Sequence, residues 1–348
     1  MSSFASVILA VLVGAVVMAA GSYVTIRLSH RWGLLDQPGR HKRHNAPTPN
    51  LGGVPLFLAI SAAIGAGLWL DGASISGIPT PWGAALLGGM IVLAVGAWDD
   101  VRPVRPAVKL LAQIAAGLIL AWGGATVDRL SAPGLGEVTL GAWGTCVTVI
   151  WVVALSNAVN LIDGLDGLAG GVSFIAALSL AVIGSAIHAP AITLLCGALA
   201  GCMLAFLYFN LSPSRLFLGD SGALLVGYIF AVASLLAPIK TFAAATLLPP
   251  LVTLAVPLGE VALSIFRRLR AGRSIIQADR GHLFHLLGHL GISPQATVRL
   301  FWAAGAVCGL AGVLMPFGDK RLALMILLTG WFVIYLVFHI LRTRRRDA

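Results

Sequence analysis

Apolar stretches of about twenty residues alternate along this chain with short polar ones. Runs fall near 4–26, 51–70, 82–98, 107–123, 143–161, 168–187, 190–209, 217–237, 241–266, 297–316 and 321–341. A helix rises about 1.5 Å per residue, so about 20 apolar residues cross the hydrocarbon of a bilayer. The pattern predicts an all-α polytopic membrane protein with about eleven transmembrane helices. Pro249, Pro250 and Pro257 fall in the ninth run. Proline removes a backbone donor and crowds the preceding turn, so a broken ninth helix is expected. The first run, Val7–Ile26, is too long for a cleaved leader and reads as the first span. No polar stretch is long enough for a second soluble domain. Residues 1–348 therefore read as one integral membrane unit, with a cytoplasmic loop at 267–296 that includes an amphipathic, His-containing helix.

Composition supports the lipid setting. The chain is 58% hydrophobic and 10% charged, with mean hydropathy +0.94, whereas soluble domains carry about 25% charge. A net charge of +10 would suit nucleic acid if it formed a patch, but it follows the spans instead. Arg129, Lys240, Lys320 and Arg321 fall on one side of an eleven-span map, and the other 19 of 23 Lys and Arg fall on the opposite side. The basic side is expected to be cytoplasmic, which puts the N-terminus outside and the C-terminus inside. The partner implied is membrane lipid, with the tail at Arg342–Arg346 facing anionic headgroups, and not nucleic acid. Cys146, Cys196, Cys202 and Cys308 lie in apolar runs without metal-ligand spacing and read as packing residues.

The same map collects polar groups from distant segments at the cytoplasmic ends of spans: Asp99, Asp100, Asp163, Asp166, Asp220, Asp279, Asn157, Asn160, His282 and His285. In "AWDDVRPVRPAVKLLAQ", Asp99 and Asp100 close a helix at the negative end of its dipole, where acids are disfavoured unless a cation is near. Lys109 at the start of the next helix is such a cation. In "LSNAVNLIDGLDGLAGG", Asn157, Asn160, Asp163 and Asp166 recur every three residues, and Gly164 and Gly167 leave room for a ligand. In "FLGDSGALLVG", Asp220 stands at a helix start and is a hard-cation ligand or an N-cap. "DRGHLFHLLGHLG" puts His282, His285 and His289 on one side of an interfacial helix, with phosphate contact expected of the first two and a structural role for His289. "DQPGRHKRHNAPTPNLGG" brings Arg40 and Lys42 on a basic loop ahead of span 2, within reach of a diphosphate.

Taken in order, these segments resemble the polyprenyl-phosphate N-acetylhexosamine-1-phosphate transferases, glycosyltransferase family 4, from Asp36 to Gly291. The resemblance implies a bacterial inner-membrane enzyme with a cytoplasmic-face active site. Such an enzyme moves a sugar 1-phosphate from a UDP-sugar to undecaprenyl phosphate, releases UMP and needs Mg2+ or Mn2+. The N-acetylglucosamine branch is implied, serving a cell-envelope polysaccharide pathway, with a homodimer left open. Phe284 stands where that branch carries a His, and Glu260 where it carries an Asp.

On this reading Asp220 and Asn160 hold Mg2+, and Asp163 is a further ligand or supports one. Asp99 deprotonates or orients the lipid phosphate, and Asp100 and Lys109 hold that end of the site. Asp166 and Phe217 face the uracil. His282, His285, Arg40 and Lys42 face phosphates, and Asn157 adds to the substrate-binding stripe. Transfer in one step and through a covalent aspartyl intermediate are both open. A secondary transporter would also carry acids in apolar spans, but near the midplane and often within inverted repeats, which this chain does not show.

Overall fold

In the computed structural model, residues 4–37, 46–72, 80–127, 129–132, 136–236, 251–270, 283–317, 321 and 324–330 are described. The helices are α1 (Phe4–Trp32), α2 (Gly53–Leu70), α3 (Thr80–Val101), α4 (Pro106–Trp122), α5 (Trp143–Ile162), α6 (Leu168–Ala186), α7 (Pro190–Asn210) and α8 (Gly219–Leu235). They continue with α9 (Ala255–Arg270), the short α10 (Leu283–His289) and α11 (Pro294–Leu314). Among the described residues, seven helices are long and apolar enough to cross a membrane, and α4 and α8 are shorter apolar helices. The protein is an all-α, multi-pass membrane protein.

Helix limits follow from local chemistry. Prolines open α4, α7 and α11 at positions where the missing N–H has no partner to lose. The helical run at 251–270 is interrupted at Leu254, and Pro257, which lacks the N–H that would bond four residues back, supplies the reason. The rest of the ninth predicted span, 241–250, lies outside the described residues, as does most of the eleventh. One element was not anticipated. An antiparallel hairpin joins α4 to α5, with β1 (Arg129–Ala132) and β2 (Gly136–Thr139) paired from Arg129 opposite Thr139 to Ala132 opposite Gly136.

The centre of the bundle is α8, buried at every residue from Ser221 to Leu235. Helices α2, α3, α5, α6 and α7 all pack on it. Without a hydrophobic drive between helices in lipid, close backbone approach has to hold them together, and small residues permit it. A Cβ on Gly96 of α3 would lie 2.5 Å from Ser221 Cα, and one on Gly227 would lie 2.2 Å from Leu155 O of α5. Two polar ties add register. Trp151 Nε1 donates to Ser234 Oγ at 2.7 Å, and Tyr228 Oη donates to Ala85 O at 3.0 Å. Leu12, Val16, Leu87, Ile150 and Leu204 face outward, as lipid contact allows. Trp69, Trp122 and Trp143, exposed at the hairpin end of α2, α4 and α5, form part of an interfacial aromatic belt.

Candidate active site

At the end of the bundle away from the hairpin, a cleft of about 960 Å³ opens between seven segments, including the end of α7 at Asn210 and the start of α11 at Pro294. Asp36, Gln37 and Asn50 come from the chain between α1 and α2, and Asp99 and Asp100 from the last turn of α3. Asn160 comes from the last turn of α5, Asp163 and Asp166 from the α5–α6 turn, Phe217 and Asp220 from the start of α8, and Phe284 and His285 from α10. Acids from four separate sequence segments therefore meet in one place.

Asp100 has a definite structural task. Its Oδ1 accepts from Asp220 N at 2.8 Å and its Oδ2 from Ser221 N at 3.0 Å. It caps the N-terminus of α8 from a different helix and satisfies donors that the helix start leaves open. The N-cap alternative for Asp220 is thereby corrected: α8 begins at Gly219, and Asp220 lies in its first turn with its side chain turned toward Lys109. Gly219 has a φ of +71°, and a Cβ there would lie 1.9 Å from Asn50 O and 2.6 Å from Asp100 Oδ2. Only glycine takes that conformation in that space. Asn50 Nδ2 donates to Asp100 O at 2.9 Å, while Gly52 N bonds Phe217 O and Phe217 N bonds Pro49 O. Three segments are thus stitched at one backbone knot.

Asp99 sits at the disfavoured negative end of α3. Val104 N donates to its Oδ1 at 2.7 Å and Lys109 Nζ to its Oδ2 at 3.1 Å. Lys109 Nζ also reaches Asp220 Oδ2 at 2.5 Å. One cation therefore balances two half-buried acids from different helices, which explains why the acids are tolerated at this depth.

The α5–α6 turn carries the next pair. Asp163 is half-buried as a residue, yet enclosure of its carboxyl, followed by the charges of Asp220, Asp100 and Asp166, pushes it up to about 8. Asp166 Oδ2 accepts from Ser214 N at 3.2 Å. On α10, Leu283 N donates to Glu260 Oε1 at 3.0 Å, so the residue that departs from the family Asp holds the start of this helix. Phe284, the other departure, lays its ring on Gly164, where a Cβ would come within 2.4 Å, and stacks at 4.3 Å on His285. Phe284 and Leu287 of α10 are buried, whereas Leu286 is exposed.

Of the other expected site residues, Asn157 does not line the cleft. Its Nδ2 donates to Gln113 Oε1 at 2.6 Å and to Val153 O at 2.8 Å, which ties α5 to α4. Arg40, Lys42 and His282 lie outside the described residues. Asn210 was missed. It lines the cleft, and its Oδ1 accepts from Gly167 N at 3.0 Å while its Nδ2 donates to Leu216 O at 3.0 Å. A lone Asn closing the apolar run "LAFLYFN" is the signal that marked it.

Oxygen donors dominate the cleft, and they suit a hard divalent cation. Among the described residues no group of three His, Cys, Asp or Glu side chains is placed to hold a metal ion by itself; a cation bound here would need water or substrate phosphates to complete its shell, as Mg2+ commonly does.

Fold and site together define a multi-pass membrane protein with an acidic cleft at one end of its helices. Residues 82–237 match the model of glycosyl transferase family 4. A probable undecaprenyl-phosphate N-acetylglucosaminyl 1-phosphate transferase of Bacillus subtilis is 29% identical over 303 residues, covering 86% of this chain and 82% of the relative. A decaprenyl-phosphate N-acetylglucosaminephosphotransferase of Mycobacterium tuberculosis is 31% identical over 299 residues, covering 79% and 74%. A phospho-N-acetylmuramoyl-pentapeptide-transferase of Lactiplantibacillus plantarum is 31% identical over 291 residues, covering 80% and 87%. The chain belongs to glycosyl transferase family 4. Relatives with different sugar donors match about equally well, so overall identity does not choose between donors.

Proposed function

We propose that this protein transfers N-acetylglucosamine 1-phosphate from UDP-N-acetylglucosamine to undecaprenyl phosphate. The products are undecaprenyl-diphosphate-N-acetylglucosamine and UMP, as the first membrane step of a cell-envelope polysaccharide. The reading places the protein in a bacterial cytoplasmic membrane with about eleven spans, the N-terminus outside and the cleft facing the cytoplasm. A homodimer is compatible with it.

The observation that carries the reading is the gathering of six aspartates in a cleft at the ends of the spans, two of them, Asp99 and Asp220, paired with Lys109. One substrate is a lipid whose phosphate lies at the membrane surface, and the other is a water-soluble nucleotide; a cleft at that level meets both. Among the described residues Lys109 is the cation paired with the cluster, and Mg2+ would be held by Asp220 and Asn160, with Asp163 beside them. Bound there, the metal would supply charge stabilisation for the diphosphate. The chain's own groups do the rest. Asp99, held by Lys109 and Val104 N–H, orients the lipid phosphate or takes its proton as that oxygen attacks the β-phosphorus and UMP leaves. Asp166 and Phe217 face the uracil. His285, with Arg40, Lys42 and His282, faces phosphates. Positioning and electrostatics are what phosphoryl transfer chiefly requires.

Detergent-purified protein given UDP-N-acetylglucosamine and undecaprenyl phosphate should release UMP only with a divalent cation. Asp220→Ala should remove that release and leave the protein folded. Unchanged turnover in the variant, or UMP release without the lipid, would sink the assignment. A panel of UDP-sugars, with lipid products weighed by mass spectrometry, tests the donor.

A further inference from the structure

The turn between α5 and α6 carries Asp163 and Asp166 and ends in Gly167, whose φ is +77°. Such a turn needs a hold from elsewhere in the fold, because the helix ladders leave its backbone groups short of partners. The hold is applied to both sides of one residue. Gly167 N–H donates to Asn210 Oδ1 at 3.0 Å, and Gly167 C=O accepts from Trp302 Nε1 at 3.1 Å. Trp302 belongs to α11, 135 residues away and beyond the stretch that matches the family model. Room for its indole is made by Gly171, one turn into α6, where a Cβ would lie 2.0 Å from the indole nitrogen. Trp302 does not line the cleft, but Asp166, bonded in sequence to Gly167, does.

We propose that Trp302 is a positioning residue for the nucleotide end of the cleft: by gripping Gly167 from behind, it fixes the turn that presents Asp166. This rests on the reading that Asp166 faces the uracil of the donor. Without the indole N–H, Gly167 C=O keeps only the bond from Gly171 N within α6, at 3.0 Å, and α11 no longer ties the turn. Donor binding must then bear the cost of ordering the turn, while the bound complex reacts as before.

Trp302→Phe keeps the aromatic packing on Gly171 and deletes only the donor. The full chain in detergent is expected to retain its melting temperature within a few degrees. Loss of one hydrogen bond of ordinary strength should make amide exchange across 163–172 about three- to tenfold faster and raise the donor KM by a similar factor. The acceptor KM and kcat should stay within about twofold. Gly171→Ala, which crowds the indole off its bond, should show the same pattern. Unchanged exchange in 163–172 overturns the tether. A fall in kcat at unchanged donor KM, or equal rises in both KM values, overturns the positioning role. Failure of the wild type to release UMP overturns the transfer reading and the donor role with it, whereas the exchange measurement judges the tether in either case.

Discussion

Replacing Asp100 by alanine separates a role in building the site from a role in the chemistry alone. The carboxylate accepts two N–H bonds at the start of α8, the helix on which five others pack. Loss of a good N-cap costs about 1–2 kcal/mol. A buried N–H left without its partner costs about 1–3 kcal/mol. Two donors are stranded here; Asp220 lines the cleft while Ser221 is fully buried, and deleting a carboxylate relieves its repulsion of Asp220. A net loss of about 2 kcal/mol follows for Asp100→Ala. Asp100→Asn keeps one acceptor and should lose about half as much. For a chain of this size roughly 2 °C accompanies each kcal/mol, so Asp100→Ala should melt about 4 °C below the wild type. The assay is thermal unfolding in detergent without substrate, followed by tryptophan fluorescence. Transfer should fall in step, because Asp220 starts from the capped turn. An Asp100→Ala protein that melts with the wild type would refute the cap as a structural element and leave the acid to the chemistry.

Three further outcomes are expected. Lys109→Met strands Asp99 and Asp220 and should cost about 1–2 kcal/mol, since the pair is half-buried and partly screened; Mg2+ should raise the melting temperature of that variant more than that of the wild type in a thermal-shift assay. Gly219→Ala meets both a positive φ and a backbone oxygen, and a loss of about 3 kcal/mol with failure of transfer is expected; near-normal stability by denaturation would contradict the packing described. Asp163 is raised from 3.8 to about 8, so its neutral form stabilises the metal-free fold fully below about pH 4, and that contribution is lost as pH rises toward 8. Melting temperatures of the metal-free protein should therefore fall across that window, and Asp163→Asn should flatten the fall.

How much was legible in the sequence depends on the kind of interaction. The helices from α1 to α8 start and stop within a few residues of the expected runs, except that α1 continues to Trp32. Span length is imposed by the bilayer, and each helix satisfies its own backbone, so both leave a local mark. The acids of the cleft other than Asp36 were legible for a related reason: charge is costly in an apolar chain, so an Asp at the end of a span stands out. The hairpin after α4 was not legible, because four-residue strands carry too little pattern to exceed their polar surroundings. Asn157 illustrates the opposite failure. It shares the three-residue spacing of Asn160 and Asp163, yet the rotation of α5 turns it toward Gln113 and out of the cleft.

By itself, then, the sequence determined a multi-pass helical chain and singled out most of the acids and amides that the cleft gathers. The tertiary structure decided which of them face one another. That Asp100 caps α8, that Lys109 bridges Asp99 and Asp220, that Glu260 holds α10, and that Trp302 and Asn210 grip Gly167 are all contacts between distant segments. A helix period fixes which face a residue occupies relative to its own neighbours, but not how that face is turned toward another helix. In this bundle that rotation is set by glycines pressed against backbone at α8, and only the packed structure reveals it.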